Sequence, residues 1–325
     1  MASPFFRYSL YAANVGGLLL RDLFDYDFQS ATKKSVVIPG GSLHPQAVVN
    51  CCADPRLSFS TKDFAGVFGG TPTVSMQAGY AINTGAEAPT SAAVFQYQAR
   101  VDGASFAASN TNSHTVGTST KGFLYCTDIT AQQDDERGAN IKLMYAPLST
   151  DGLTDPVSFN TATTLTSSPL YVGIAFLGPV VLGDPNGTFG ALKGVQSVSI
   201  KTGIDYRSPR ADGCVYSING SIHSLVPEIR IVTKDPVYQS RILATPFGRA
   251  FVAGSAFNIY FRKGVHGAGR VANTAAEHYV IKAQTGDDTT DSISVRELDD
   301  ASCEIIVRPT NGITITANQI IPPLM

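Results

Sequence analysis

Four of the five histidines stand in pairs along the chain, His44 with His223 and His114 with His278, and two acidic pairs, Asp134-Asp135 and Asp299-Asp300, occupy equivalent places just before apolar runs. An imidazole near a carboxylate or thiol at usable spacing could be a general base, a triad member or a metal ligand. None of these histidines sits in such a motif, and their repetition favours loop or core positions with a structural role. The acidic pairs could act as paired acids or hold a cation, but adjacent residues on an extended chain point to opposite faces. A solvated hairpin tip is the expected state. Asp22, Asp25 and Asp27 likewise lack the glycine and distal glutamate that complete a calcium loop.

The remaining chemistry-bearing types give the same answer. Cys51, Cys52, Cys126, Cys214 and Cys303 form no C-x-x-C pair and have no spaced histidine partner of the kind zinc needs, so free thiols in a reducing compartment are expected. Gly264-Val265-His266-Gly267-Ala268-Gly269-Arg270 is glycine-rich but has neither P-loop spacing nor a following helical pattern. No G-x-S-x-G elbow occurs. Asn186-Gly187-Thr188 and Asn219-Gly220-Ser221 fit the glycosylation sequon and are better explained as turns. No catalytic, cofactor-binding or metal residue is therefore assigned, and the chain is not expected to be an enzyme.

The elements around these residues are strands. Short runs rich in Val, Ile, Tyr, Phe and Thr recur at 35–38, 94–101, 122–129, 141–145, 195–204, 228–232, 258–262, 278–283, 292–296 and 304–308. Glu228-Ile229-Arg230-Ile231 alternates polar with apolar, as one wet and one buried sheet face require. Asn186-Gly187, Asn219-Gly220 and Asn311-Gly312 supply hairpin-turn signals. Thr233 to Leu243 predicts one short helix, with Asp235 at the N-cap and Pro236 at the first helical position. Ser9 to Leu20 has the length of a signal h-region, but Tyr11, Asn14 and the lack of an A-x-A site favour a buried strand or helix.

Composition favours assembly. Charged residues are 15% of the chain, against about 25% in an ordinary soluble domain, so little surface charge opposes association. The net charge of −2 leaves no excess of cations to neutralise a row of phosphates, which disfavours tight nucleic-acid binding. No apolar run reaches the length of about 18 residues that a membrane span needs.

The 325 residues allow two domains, and the two halves share seven collinear blocks. Gly41-Ser42-Leu43-His44 matches Gly220-Ser221-Ile222-His223, and Pro55-x-Leu57-x-Phe59-x-Thr61-Lys62-Asp63 matches Pro227-x-Ile229-x-Ile231-x-Thr233-Lys234-Asp235. Tyr97-x-x-x-Val101-x-Gly103-Ala104 matches Phe261-x-x-x-Val265-x-Gly267-Ala268, and Asn110-Thr111 with His114 matches Asn273-Thr274 with His278. Asp134-Asp135, Ile141 and Leu143 match Asp299-Asp300, Ile305 and Val307; then Pro147 matches Pro309, and Gly152-Leu153-Thr154 matches Gly312-Ile313-Thr314. An internal duplication follows, with domains at 1–160 and 161–325 and a Ser/Thr-rich linker near Asp155 to Ser168. Gly69 to Ala93 is a long Gly/Ala/Thr-rich loop in the first copy, of a length that is usually functional or ordered by a neighbour.

A β-rich chain carrying Val195-Gln196-Ser197-Val198-Ser199-Ile200-Lys201-Thr202-Gly203-Ile204, then Asp212-Gly213-Cys214-Val215-Tyr216 and Pro227-Glu228-Ile229-Arg230-Ile231, resembles the major tail tube proteins of long-tailed bacteriophages. The likeness covers about 195 to 265 and reaches the first half through the repeat. It implies a mainly β fold of two tandem tail-tube-like β-sandwich or barrel domains, each with a short helix. It further implies a virion tail protein, assembled in the host cytoplasm, whose rings stack into a tube through which genomic DNA passes without specific binding. With two domains per chain, three chains make a pseudo-hexameric ring. The implied partners are further copies of the chain and other tail proteins, with no cofactor and no membrane. Two other classes remain open: another virion structural protein such as a capsid decoration protein or adhesin, and a β-sandwich carbohydrate hydrolase, which the lack of Trp disfavours because sugars stack well on indole.

Overall fold

A computed structural model describes residues 7–41, 43–82, 93–100, 113–118, 121–161, 173–182, 191–235, 250–251, 257–265, 269–283, 286–294 and 302–323. The fold is mainly β. The first half contains β1 (Arg7–Val15), β2 (Leu18–Leu20), β3 (Leu23–Gln29), β4 (Lys33–Val37), β5 (Ala47–Cys52), β6 (Arg56–Thr61), β7 (Tyr80–Ile82), β8 (Val94–Arg100), β9 (Ser113–Thr118), β10 (Lys121–Gln132), β11 (Asn140–Leu148) and β12 (Val157–Thr161). The second contains β13 (Ala175–Leu182), β14 (Val195–Lys201), β15 (Ile204–Arg207), β16 (Ser221–Leu225), β17 (Glu228–Thr233), β18 (Ala250–Phe251), β19 (Phe257–Val265), β20 (Gly269–Arg270), β21 (His278–Ala283), β22 (Gly286–Ser294), β23 (Ser302–Pro309) and β24 (Ile313–Gln319).

One large antiparallel sheet runs through both halves in the order β18-β22-β23-β17-β14-β10-β11-β6-β3, with β7 on β10. A sheet ordered β12-β9-β8-β1-β2 belongs to the first half, and one ordered β13-β19-β21-β24 to the second. Alternation decides which side chains go inward. On β17, Ile229 and Ile231 are fully buried while Glu228 and Arg230 are not, and on β6 Leu57 and Phe59 are buried between Arg56 and Ser58. Phe95 of β8 meets Phe59 of β6 at 5.5 Å and Tyr145 of β11 at 5.9 Å, ring centre to ring centre, so the sheets face each other across aromatic contacts. Each such fully buried ring contributes about 2 kcal/mol by leaving water. Most of the buried apolar residues of both halves form one cluster, which Phe64 helps to join: its ring lies 5.0 Å from Phe261 and 5.6 Å from Tyr279.

Several local expectations change. Of the strand or helix expected over Ser9 to Leu20 the strand is the form found: the segment falls within β1 and β2, turned at Gly16 and Gly17, whose φ of 58° and 94° suit glycine. The segment read as a linker contains β12, which pairs with β9, while 162–168 lie outside the described residues. Gly220 does not have positive φ; the turn between β15 and β16 instead uses Asp212 at 55° and Gly213 at 75°. Asn186-Gly187 and the helical positions 236–243 fall outside the described residues. A single helical turn, Ala65–Gly69, follows Asp63 in the first half.

Strand neighbours recur between the halves. The order β7-β10-β11-β6-β3 is matched by β18-β22-β23-β17-β14, and β12-β9-β8-β1 by β24-β21-β19-β13. Register makes the match residue by residue. Gln29 lies opposite Arg56 as Lys201 lies opposite Glu228, and Leu23 opposite Thr61 as Val195 opposite Thr233. Residues 29–63 thus correspond to 201–235 at a constant separation of 172 (233 − 61). That spacing corrects one block of the repeat: Gly220 corresponds to Val48, not Gly41, and His223 to Cys51, not His44. Two more blocks are corrected by register. Tyr97 faces His114, whereas Phe261 faces Tyr279, so His278 is one position out of step. Ile141 and Cys303 both face the threonine ending the neighbouring strand, so Ile141 corresponds to Cys303 and Leu143 to Ile305.

Candidate assembly interface

The two halves meet edge to edge. Strand β10 offers one edge to β7 at Gly122–Leu124 and, further along the same edge, to β14 at Asp128–Gln132. Across that join Asp128 faces Lys201, Ile129 faces Ile200 and Thr130 faces Ser199, and both isoleucines are fully buried. A bulge between Cys126 and Asp128 lets one strand serve both neighbours. Strand β22 repeats the design. It pairs with β18 at Gly286 and Asp287 and is bulged between Thr289 and Ser292. Ser292–Ser294, the stretch corresponding to Asp128–Thr130, pairs with β23 on one side, and among the described residues nothing pairs with its other edge. At the other end of the sheet β3, the counterpart of β14, pairs among the described residues with β6 alone.

A second contact fastens the halves. Hairpin β15–β16 lies over the outer face of β10 and β11, where Tyr206 stacks on Phe123 with ring centres 4.4 Å apart and planes 10° from parallel. Tyr125, Ala146, Met144, Ile204 and Ile222 complete this satellite cluster. The Arg56 guanidinium sits 5.3 Å over the Tyr206 ring, and its Nη2 donates to Ser208 Oγ at 2.6 Å and to Asp54 Oδ2 at 3.0 Å. Ser208 Oγ in turn donates to Asp54 Oδ1 at 3.1 Å. Burial pushes the Tyr206 hydroxyl up to about 12, with the Arg56 charge acting against it. The ring is neutral at physiological pH, as an apolar stack requires.

The repeated Thr-Lys-Asp triplet is a buried clip. Thr61 Oγ1 donates to Arg21 O at 2.6 Å and accepts from Asp63 N at 3.0 Å; Thr233 Oγ1 donates to Lys193 O at 2.7 Å and accepts from Asp235 N at 3.2 Å. Asp63 Oδ1 takes the Gly66 N–H at 2.9 Å, and burial raises its carboxyl above the usual range. These groups tie strand ends to loops.

The structure does not gather the other singled-out residues. His44 and His223 are exposed in different hairpins. His278 is fully buried: its Nδ1 accepts from Lys263 N at 3.2 Å, so Nε2 donates to Ala272 O at 2.9 Å, and the ring is spent on backbone. His114 lies on β9. Asp134 and Asp135 sit in the turn joining β10 to β11, where Asp135 Oδ1 accepts from Arg137 N at 2.8 Å; Asp299 and Asp300 are outside the described residues. Gly264 and Val265 end β19 and Gly269-Arg270 is β20, so the described part of the glycine-rich run is strand. All five cysteines are free thiols. Among the described residues no three His, Cys, Asp or Glu side chains converge as a metal site, and no helix is long and apolar enough to cross a membrane.

No protein-family model and no curated protein matches this chain. One further surface feature was missed by motif reading because its signal is not a motif. It lies in valines and isoleucines placed on both faces of a short hairpin, Val36, Val37, Ile38, Val48 and Val49, all exposed. A two-stranded hairpin with no buried face is marginal by itself, and an exposed apolar patch of this kind is a candidate interaction surface.

Proposed function

We propose that the chain is a structural subunit of a tube of the phage tail-tube kind, two tandem tube-like β modules per chain, with three chains closing a pseudo-hexameric ring and rings stacking around a lumen for DNA. The observation that carries the reading is the β10–β14 join together with its two open counterparts. A head-to-tail contact that repeats the internal join, β22 of one chain against β3 of the next, is heterologous, and such contacts form rings when the rotation closes. The corresponding register puts Ser292 opposite Gln29, Ile293 opposite Phe28 and Ser294 opposite Asp27. Pairing of this kind would also cover two sheet edges that are open among the described residues, and open edges template uncontrolled association. A conduit must not grip its cargo, and a chain of net charge −2 lacks the cation excess that would hold DNA by its phosphates.

Negative-stain imaging of the purified protein tests this reading. Rings with threefold symmetry and stacked tubes are expected. Phe28→Asp should abolish them, because a carboxylate would enter a position whose counterpart, Ile200, is fully buried; Phe28 also packs against the core and lies 5.7 Å from Phe159, so circular dichroism of the variant separates loss of assembly from loss of fold. Compact monomers at high concentration, a knob or a closed cap would overturn the reading.

A further inference from the structure

We infer that Arg262 and Arg270, on the outward face of the sheet β13-β19-β21-β24, form a binding site for one tetrahedral dianion, a phosphate or sulfate group. The site does not depend on ring formation.

Register brings the two arginines to one face. Phe261 is fully buried in the core, so its neighbour Arg262 points to the other side of the sheet. Gly264, two residues on, shares that face, and so do the residues paired with the two, Phe176 opposite Arg262 and Arg270 opposite Gly264. Strand β19 runs between β13 and β20: Gly264 N donates to Ile174 O on one side, and Lys263 O accepts from Val271 N on the other. The Arg270 side chain nevertheless reaches across β19, and its guanidinium carbon lies 4.8 Å from the centre of the Phe176 ring. Glycine at 264 leaves room for this arrangement, since a Cβ there would come within 2.8 Å of the same ring.

Among the described residues no acid pairs with Arg262 or Arg270, and Glu277 is committed to Lys263 at 2.7 Å. Arg262 is half-buried, and its Nε is buried with no hydrogen-bond partner. Burial, and after it the charge of Arg270, hold this guanidinium below its ordinary value. A partly desolvated cation set beside a second cation is costly, and an anion that accepts hydrogen bonds from both offsets the cost.

The chemistry of the pair selects the ligand. Guanidinium groups donate and do not accept, so the ligand must supply acceptors, and two positive charges are balanced by one dianion. The planar fork of each arginine matches the oxygens of a phosphate or sulfate group, with Arg262 Nε as one of the donors. Beside them opens a cavity of about 230 Å³ lined by Phe176, Gly264, Val265, Gly269 and Arg270, several times the roughly 30 Å³ that one water takes in the liquid. Phe261 corresponds to Tyr97, so Arg262 corresponds to the neutral Gln98. The first half therefore does not repeat the pair, and one site per chain is expected.

Calorimetric titration of the full chain with inorganic phosphate at about pH 8, where phosphate groups are mostly dianionic, tests the site. One phosphate per chain is expected, bound about tenfold or more tighter than acetate or dimethyl phosphate, which carry a single charge. Arg270→Gln, at an exposed position, should weaken phosphate binding about tenfold or more, as should Arg262→Gln, while Lys142→Gln on β11 should leave it unchanged. Circular dichroism checks the fold of each variant, and Arg270→Gln carries the test if the half-buried Arg262 proves necessary for folding. Phenyl phosphate separates the two sources of the group: tighter binding than inorganic phosphate assigns the site to a phosphorylated organic molecule, equal binding to the free ion, and either supports it. Phosphate held no better than acetate or dimethyl phosphate, or held equally by Arg270→Gln and the unaltered chain, overturns the inference.

Discussion

Replacing Tyr206 with alanine removes the ring that fastens hairpin β15–β16 to the first half of the chain. The side chain is 9% exposed, stacks on Phe123 at 4.4 Å and lies under Arg56 at 5.3 Å. Truncating a buried aromatic costs about 3 to 5 kcal/mol, and the lower end applies because this cluster is small and lies at a surface. About 1 kcal/mol of that belongs to the stack and about 0.5 kcal/mol to the cation above it. Because the hairpin has no other apolar anchor of this size, the loss should fall on local opening rather than on the main core. A drop of about 3 kcal/mol speeds amide exchange about a hundredfold. Hydrogen exchange read by mass spectrometry should show that acceleration across β15 and β16 in Tyr206→Ala, with β6 and β11 unchanged. Tyr206→Phe keeps the stack and should exchange like the parent. Unchanged exchange in the alanine variant would refute the assignment of Tyr206 as the fastening.

Two further outcomes follow from buried polar groups. His278→Ala leaves Lys263 N and Ala272 O without their side-chain partner and should lower stability by about 2 to 4 kcal/mol in a denaturant titration, with His278→Gln recovering part of the loss. Asp63 titrates above its unfolded value of 3.8 because burial disfavours its charge, so the folded state binds the proton first. Its contribution to stability is therefore greatest below pH 3.8 and declines as pH rises through the folded value. Asp63→Asn keeps an oxygen for the Gly66 N–H and should flatten that part of a stability-against-pH profile measured by thermal unfolding.

Strand content and much of the inward-facing set were legible in the sequence, because period-two alternation is a local property of the chain. Ile229 and Ile231 between Glu228 and Arg230 announce a half-buried strand wherever it is placed. The correspondence of Pro55–Asp63 with Pro227–Asp235 was legible for the same reason, and its Thr-Lys-Asp ending proved to be a clip made twice with the same bonds. Matching by residue type failed where composition is generic. Gly-Ser-Leu-His and Gly-Ser-Ile-His look alike, yet one lies in a turn region and the other leads along a strand seven positions out of step.

What the sequence alone determined is the kind of element and which side of it avoids water, since both follow from neighbours two residues away. Tertiary structure decided the rest: which edges are filled, that β10 joins β14, and that Tyr206 finds Phe123 some 80 positions earlier (206 − 123). A one-residue slip in register exchanges the two faces of a strand, and register is set by long-range pairing, bulges and turns that leave little trace in local pattern. An open edge is visible only once every other strand has taken its place.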